Sequence, residues 1–373
     1  MKKFLLAFVM LVTVFALFAC GGDDTDLLDE DPTNFKIAMI TDVGDIDDKS
    51  FNQGTWEGIQ SYAVANNKEY DYFRPSAVST DDYIETIEFA IGQGYRIIVA
   101  PGFLFEEAIH AVQAEYPNVY FILIDGAPHA GDYNVEIKPN TLSIFFNEHE
   151  SGWLAGYASV MEGFETLGFM GGMAVPAVVR FGVGYVAGAY YAAYQLGLDS
   201  FAFTAQNYEY LGGFAPSDEH KTLATAFYNR GVQIIHAAAG GAGNSVMAAA
   251  EEGANRWVVG VDIDQRDEST RVVTSAMKGL GVAVQTALAD IYNREFTGGI
   301  SITLGAAENA VNLPTATNSF DRFQNFTRAD YDFIFGMLSG GVLAVPSSPD
   351  QLQTYITALG YTVPAGLITK ARG

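Results

Sequence analysis

Short, almost continuous apolar segments alternate along this chain with longer segments that have helical spacing. The apolar segments are Lys36–Ile40, 96–100, 119–124, 142–146, 167–170, 233–237, 257–261 and 271–275. Helical spacing is found at 83–93, 183–196, 223–228 and 282–292. Such alternation indicates βαβ units, whose parallel strands are buried on both faces. Because so many units exceed one sheet, we predict an α/β fold of two Rossmann-like lobes with parallel sheets, divided near residues 147–153.

Aspartate and glycine recur where the predicted strands end. Asp42, Asp125, Asp262 and Gly240 each lie at or just beyond the carboxyl end of a predicted strand. In open α/β sheets, ligands bind outside the carboxyl ends of the strands. Glycine at that position lets the backbone approach a ligand closely. If the two lobes face each other with these edges, the residues converge on one cleft between the lobes.

The segment 41–53 is the densest polar motif and follows the first strand. Asp48 and Ser50 are candidate N-caps of the helix that follows. Capping does not explain Phe51 and Asn52 beside a cleft. Phe51 could stack on a flat ligand, which contributes about 0.5–1.5 kcal/mol beyond area burial. Asn52 could supply a paired donor and acceptor.

The same segment permits a second interpretation as a calcium site. Asp42, Asp45, Asp47 and Asp48 could ligate the ion through oxygen, although the spacing is not that of an EF-hand. The pattern resembles the aspartate-rich strand end of calcium-dependent nucleoside hydrolases. We predict no metal and no cofactor, and this enzyme remains the alternative.

The charge balance restricts the possible partners. The chain has 20 Lys+Arg and 44 Asp+Glu, a formal net charge of -24. Such a surface repels phosphate backbones, so nucleic acid is not expected as a partner. A neutral or cationic solute is compatible with it.

The N-terminus has the organisation of a bacterial signal peptide. Lys2 and Lys3 precede an apolar segment over residues 4–19, which is too short for a confident transmembrane helix. The segment 17–20 resembles a lipobox that ends at Cys20, the single cysteine of the chain. We therefore expect a signal peptide over 1–19 and a lipid-anchored, flexible tether over 20–34.

Together these motifs resemble the basic membrane protein family of solute-binding lipoproteins. The matching segments are the lipobox, 42–44, 47–52, 124–126, 171–173, 180–181, 184–185, 187–188, 210–214, 238–241, 243, 259–262, 264–265 and 274–278. The resemblance implies a type I periplasmic-binding-protein fold, with two lobes joined by a multi-strand hinge. We place lobe I at 35–146 plus about 276–312 and lobe II at 147–275 plus about 313–373.

The resemblance also implies a ligand and a set of contacts. In this family a base lies between two aromatic rings, one from each lobe. Phe51 matches the first ring, and Phe214 is the preferred second ring, with Phe181 as the alternative. The remaining positions that match ligand-binding positions are Asp42, Ser50, Asn52, Asp125, Gly240, Asp262 and Lys278. Lys278 is expected to hold the neighbouring carboxylates ionised.

The resulting prediction is a monomeric, non-enzymatic binding protein on the extracytoplasmic face of the cell membrane. Its ligand would be a nucleoside, in particular a purine nucleoside, and its partner the permease of an ABC importer. Besides the hydrolase, the alternatives are a sensory or adhesive lipoprotein and a sugar-binding protein. The segment 148–150 is interpreted as a solvated crossover between the lobes.

Overall fold

The computed structural model describes residues 31–42 and 44–373. The predicted signal peptide, Cys20 and residues 20–30 of the predicted tether lie outside the described residues. The end of that tether is described, and it forms a 3-10 turn at Pro32–Asn34 in which Pro32 is buried. This short segment therefore packs on the folded protein.

The first half of the chain builds lobe I. Its elements are β1 (Lys36–Ile40), α1 (Phe51–Ala65), β2 (Tyr70–Phe73), α2 (Thr80–Gly92), β3 (Tyr95–Pro101), α3 (Glu106–Glu115), β4 (Tyr120–Ile124) and β5 (Thr141–Phe146).

The chain then crosses at Asn147 into lobe II. The elements there are α4 (Glu148–Glu162), β6 (Leu167–Gly171), α5 (Pro176–Leu196), β7 (Tyr208–Tyr210), α6 (Asp218–Asn229), β8 (Ile234–Ala238), α7 (Gly243–Glu251), β9 (Trp257–Asp262) and β10 (Val272–Lys278).

Two further crossovers complete the hinge. The chain returns to lobe I with α8 (Leu280–Tyr292) and β11 (Ile300–Leu304). It then ends in lobe II with β12 (Val311–Asn312), α9 (Arg328–Ser339), α10 (Pro349–Ala358) and α11 (Leu367–Arg372). Because α8 packs on α1 while β10 pairs with β9, the second crossover falls at Gly279.

The two sheets have the same strand order. Lobe I has the order β11-β5-β4-β3-β1-β2 with all strands parallel. Lobe II has the order β12-β10-β9-β8-β6-β7, in which only β12 pairs antiparallel. The strand order reverses between β1 and β3 in one lobe and between β6 and β8 in the other. These reversals are the points at which open α/β sheets form ligand crevices.

The predicted α/β fold of two lobes with parallel sheets is confirmed. The central strands are fully or almost fully buried, as their continuous apolar sequences indicate. The edge strands β2, β7, β11 and β12 were not predicted. They are short, and β2 and β11 leave most of their side chains at least partly exposed, so no apolar segment marks them.

Four glycines bring α4 and α5 into direct backbone contact. A methyl group on Gly152 or Gly156 of α4 would lie 2.3 or 1.9 Å from a carbonyl oxygen of α5. A methyl group on Gly184 or Gly188 of α5 would lie 2.0 or 1.9 Å from a carbonyl oxygen of α4. Larger residues would force the helices apart. The contact therefore determines where the N-terminal ends of α4 and α5 stand.

We expect Gly188→Ala to lower the free energy of unfolding by about 1–3 kcal/mol, because its methyl group would overlap the Trp153 carbonyl oxygen. Gly336→Ala on α9 is the matched control, since nothing lies within 4 Å of that position. It should raise the free energy of unfolding by about 0.5–1 kcal/mol through helix propensity. Urea denaturation measures both, and equal effects of the two substitutions would contradict the close helix contact.

Candidate ligand-binding cleft

A cavity of about 1160 Å³ lies between the two lobes. Its walls come from the loops after β1, β3 and β4 of lobe I and the loops after β6, β7 and β8 of lobe II, together with the ends of β9 and β10. The predicted site residues that line it are Asp42, Phe51, Asp125, Phe181, Phe214, Gly240, Asp262 and Lys278. The loop tips that the sequence placed at one cleft thus meet there.

Lys278 is the centre of a buried ionic cluster at the base of the cleft. It is the last residue of β10, and only 3% of its side chain is exposed. Its ammonium group contacts Asp125 of lobe I and lies 3.3 Å from Glu148 and 3.8 Å from Asp262, both of lobe II. Arg180 at the start of α5 lies 2.5 Å from Glu148. The ion pairs therefore connect the lobes through one lysine.

The two aspartates at this cluster have the same unusual backbone conformation. Asp125 follows β4 and has φ 56°, and Asp262 ends β9 and has φ 65°. Residues other than glycine adopt this left-handed region uncommonly, and aspartate is among those that tolerate it best. Strain of this kind persists where the surrounding structure enforces it, and it is concentrated at functional sites.

Burial and the charge of Lys278 shift the pKa values of the buried carboxylates around it in opposite directions. Burial raises the pKa of Asp42 to about 6 and, although Lys278 opposes it, raises the pKa of Asp125 to about 6. Burial also raises the pKa of Asp262. Lys278 therefore offsets only part of the effect of burial on Asp125 and Asp262, and the pKa of each stays above the ordinary value for aspartate.

For Glu148 and Lys278, the neighbouring charges outweigh burial in setting the pKa. Burial works to raise the pKa of Glu148, but Lys278 and Arg180 together hold it below its ordinary value. Burial alone would lower the pKa of Lys278, but the three surrounding carboxylates raise it. The ammonium group consequently stays charged.

Ser50 and Asn52 lie behind the cleft wall and are buried. Ser50 Oγ donates to Asp262 Oδ2 at 2.6 Å, a hydrogen bond that crosses between the lobes. Asn52 Nδ2 donates to Asp42 Oδ1 at 2.8 Å. Both residues are thus seen to position a carboxylate that lines the cleft. The side chain of Ser50 makes no cap hydrogen bond to the helix.

Asp42, Asp45 and Asp48 of segment 41–53 each have protein partners, and Asp42 and Asp48 share the side-chain amide of Asn52. Asp48 accepts from the backbone N–H groups of Ser50, Asn52 and Gln53, so it caps α1 as predicted. Asp45 pairs with Arg74 at 2.6 Å. Within residues 31–42 and 44–373, no cluster of three or more His, Cys, Asp or Glu side chains is arranged to hold a metal ion.

Aromatic rings from both lobes reach the cluster. Lys278 Nζ lies 4.8 Å from the ring centre of Phe51 and 5.5 Å from that of Phe181. Phe181 is only 2% exposed, whereas Phe214 is half-buried. The ring of Phe214 lies over Gly172 and Gly240, where a methyl group would meet it at 2.3 and 3.5 Å. Glycine at these two positions makes room for that ring.

Sequence reasoning missed two members of the cluster. Glu148 was interpreted as part of a solvated crossover, and this was wrong, because its side chain is 0% exposed and paired with two cations. Arg180 was part of a matching segment but was assigned no role. The available signal was an acidic residue shortly after the strand that precedes the first crossover, next to the point where the chain changes lobes.

No helix in the part of the chain that the structure describes has the length and apolar character needed to span a membrane.

Comparison with known proteins gives consistent results. The ABC transporter nucleoside-binding protein BmpA of Lactococcus lactis subsp. cremoris (strain MG1363) is 29% identical over 364 residues, with 91% of this chain and 99% of that protein covered. A CD4+ T-cell-stimulating antigen of Listeria innocua serovar 6a is 31% identical over 344 residues, with 84% and 91% covered.

A solved structure of ABC transporter system solute-binding proteins from Aeropyrum pernix K1 is similar in fold. It has a TM-score of 0.71 and 24% identity, with 90% of this chain and 99% of that chain covered. The family model for Bmp, described as ABC transporter substrate-binding protein PnrA-like, matches residues 35–337. This protein therefore belongs to the Bmp family of PnrA-like ABC transporter substrate-binding proteins.

Proposed function

We propose that this protein captures a nucleoside, in particular a purine nucleoside, and delivers it to the permease of an ABC importer. The observation that carries the proposal is the meeting of Asp125 and Asp262, one from each lobe, around Lys278 beside the face of Phe51. A nucleoside matches this arrangement, since it joins a flat base to a sugar with paired hydroxyl groups. The similarity to the nucleoside-binding protein BmpA of Lactococcus lactis supports this choice of ligand.

The carboxylates suit the ribose. Asp125 lines the cleft, and its Oδ1 atom is buried without a hydrogen-bond partner among the described residues. A buried acceptor of this kind is unfavourable until a donor reaches it. A ribose hydroxyl would supply that donor, and hydrogen bonds to charged groups contribute about 1.5–3 kcal/mol each.

The aromatic rings suit the base. Phe51 comes from lobe I, and we favour Phe214 over Phe181 as the ring from lobe II. Phe214 is half-buried and lines the cleft, so it has ring surface to offer, whereas the 2% exposure of Phe181 leaves almost none. Phe181 then acts as a wall beneath Lys278.

Capture follows from closure of the lobes on the ligand. Ser50 donates to Asp262 across the cleft, and Gln265 Nε2 of lobe II donates to the Lys49 carbonyl oxygen of lobe I at 2.6 Å. Opening about the three hinge segments would break these hydrogen bonds and expose the carboxylates. We place the protein as a monomer on the extracytoplasmic face, anchored through a lipid on Cys20. No covalent chemistry on the ligand is proposed.

Mass spectrometry of the ligand that remains bound after gentle purification tests the substrate directly. We expect an intact purine nucleoside. Recovery of a sugar or an amino acid would reject the proposed ligand. Recovery of a free base together with ribose after incubation would instead favour the hydrolase alternative.

We expect Phe51→Ala to weaken nucleoside binding by about 1–3 kcal/mol, or about 5- to 150-fold in Kd, because base stacking on that ring is lost. Isothermal titration with inosine and adenosine measures the change. Phe333→Ala removes a phenyl ring that is 68% exposed on α9, outside the cleft, and is the matched control. Unchanged binding by Phe51→Ala would remove this ring from the site.

Nucleoside affinity should fall as the pH decreases through about 6. The raised pKa of Asp125, about 6, means that this carboxylate takes up a proton in that range and then no longer accepts a ribose hydrogen bond as an anion. One such group lowers the affinity about tenfold between pH 7 and pH 5. Titrations across this range should also detect proton release on binding near pH 6.

Asp125→Asn is the control for this pH dependence. The variant should bind more weakly at pH 7 and show a flatter profile, because one titrating group is gone. A wild-type affinity that stays constant from pH 5 to pH 7 would contradict a direct role for the buried carboxylates.

A further inference from the structure

A second, smaller cavity of about 340 Å³ opens in lobe I next to the interlobe cleft. Phe103, Glu106 and Tyr133 line both cavities and form the wall between them. The other residues that line the small cavity are Val78, Ser79, Thr80, Tyr83, Leu104, Glu107 and His129. All of them belong to lobe I, so the shape of this cavity does not depend on closure of the lobes.

Two carboxylates line the small cavity, and no lysine or arginine does. Glu106 has a partly structural role, because its Oε1 atom accepts from the Ala127 N–H at 3.0 Å. Glu107 accepts one long hydrogen bond, from Thr80 Oγ1 at 3.4 Å, and is otherwise exposed. Most of the acceptor capacity of Glu107 is therefore available to a ligand.

His129 does not neutralise these carboxylates. Its side chain is buried, and its Nδ1 atom accepts from the Gly131 N–H at 2.9 Å. A ring nitrogen that accepts a hydrogen bond carries no proton, so the proton of this imidazole is on Nε2 and the ring is neutral. Nε2 then donates to Glu106 Oε2 at 3.1 Å. The small cavity therefore attracts cations and repels anions.

Tyr83 adds an unpaired hydroxyl group. The side chain is 2% exposed, and its ring packs against Phe105 at 4.5 Å between centres. Its hydroxyl is buried without a hydrogen-bond partner in the described part of the chain. Burial raises the pKa of Tyr83 to about 12, so the hydroxyl keeps its proton. A polar group left in this state marks a place where a ligand can restore a hydrogen bond.

Tyr133 provides an aromatic rim where the two cavities meet. It has φ 60°, an unfavourable conformation for a bulky side chain, and the residue is 83% exposed. The loop holds it there through hydrogen bonds from the Asn134 N–H to Asp132 and from the Glu136 N–H to the Pro128 carbonyl oxygen. Phe103 supplies a second ring in the shared wall. Such rings attract a neighbouring ammonium group.

We propose that the small cavity is a subsite for an organic ammonium group, held by Glu107, Glu106 and the Tyr83 hydroxyl between Phe103 and Tyr133. The ammonium group could be carried by a substituent on the base of a bound nucleoside or by a separate small amine. The first source rests on the proposed function, because it requires a nucleoside in the cleft. The second source does not.

The path for a substituent runs past Asp42. A methyl group on Gly102 would lie 3.2 Å from Asp42 Oδ2 and 3.8 Å from the ring of Phe51. Phe103, in the wall between the cavities, is the next residue in the chain. Under this proposal, a chain attached to the outer edge of a base stacked on Phe51 would run past Asp42 towards Phe103 and the small cavity.

Two adenosine analogues that differ in one terminal group test the tethered source. N6-(4-aminobutyl)adenosine should bind the wild-type protein at least about tenfold more tightly than N6-butyladenosine, since a charge-assisted hydrogen bond is gained. Tyr83→Phe and Glu107→Gln should each bring this affinity ratio towards one. Glu85→Gln removes an exposed carboxylate of α2 that lines neither cavity, so it should keep the wild-type ratio.

A titration of the adenosine-saturated protein with 1,4-diaminobutane at low ionic strength tests the separate source. Binding that is weakened in Glu107→Gln and kept in Glu85→Gln supports the subsite. Equal affinities for the two adenosine analogues, together with no diamine binding that depends on Glu107, would overturn it. Titration of the unsaturated protein separates the two proposals: if adenosine fails to bind while the diamine still binds through Glu107, the proposed function is rejected and the subsite is kept.

Discussion

The ion pairing of the buried Lys278 ammonium group is the interaction on which the rest of this site depends. A charge removed from water is unfavourable unless opposite charges and hydrogen bonds surround it. Here the opposite charges come from Asp125 in lobe I and from Glu148 and Asp262 in lobe II. Pairing of one lysine with carboxylates of both lobes therefore fixes how the two lobes are placed relative to each other. The carboxylates that pair with Lys278 are also the hydrogen-bond acceptors that a polar ligand can use.

Close helix packing in lobe II positions Glu148 and its partner Arg180. Glu148 begins α4, and Arg180 is the fifth residue of α5. The glycine contacts between the helices leave no space for side chains, so larger residues there would separate the helices and move these two charged groups. Core packing and site electrostatics are thus coupled. A substitution far from the cleft can change the charge distribution within it.

Positions at strand ends were the most predictable part of the site. Asp125 and Asp262 follow from a simple rule, because parallel strands present their carboxyl ends at one edge of the sheet. Ser50 and Asn52 were predicted to contact the ligand because they belong to the polar segment 41–53. The start of α1 turns their side chains behind the wall, where they hold Asp262 and Asp42. Residues that are neighbours in sequence therefore divide into those that line the cleft and those that support it. The direction in which α1 starts decides which residues belong to each group.

The sequence by itself determined the α/β class, the two lobes and the loop tips from which a cleft is built, since continuous apolar strands and the residues after them are local features of the chain. The tertiary structure decided which buried charges meet. Glu148, Lys278 and Asp125 are far apart in sequence, and their burial depends on three crossovers and on the approach of two separate sheets. The pairing of Glu106 with His129 likewise depends on where the start of α3 and the loop after β4 come together. Ion pairs form between residues that are close in space, so the pairs become apparent only in the folded structure.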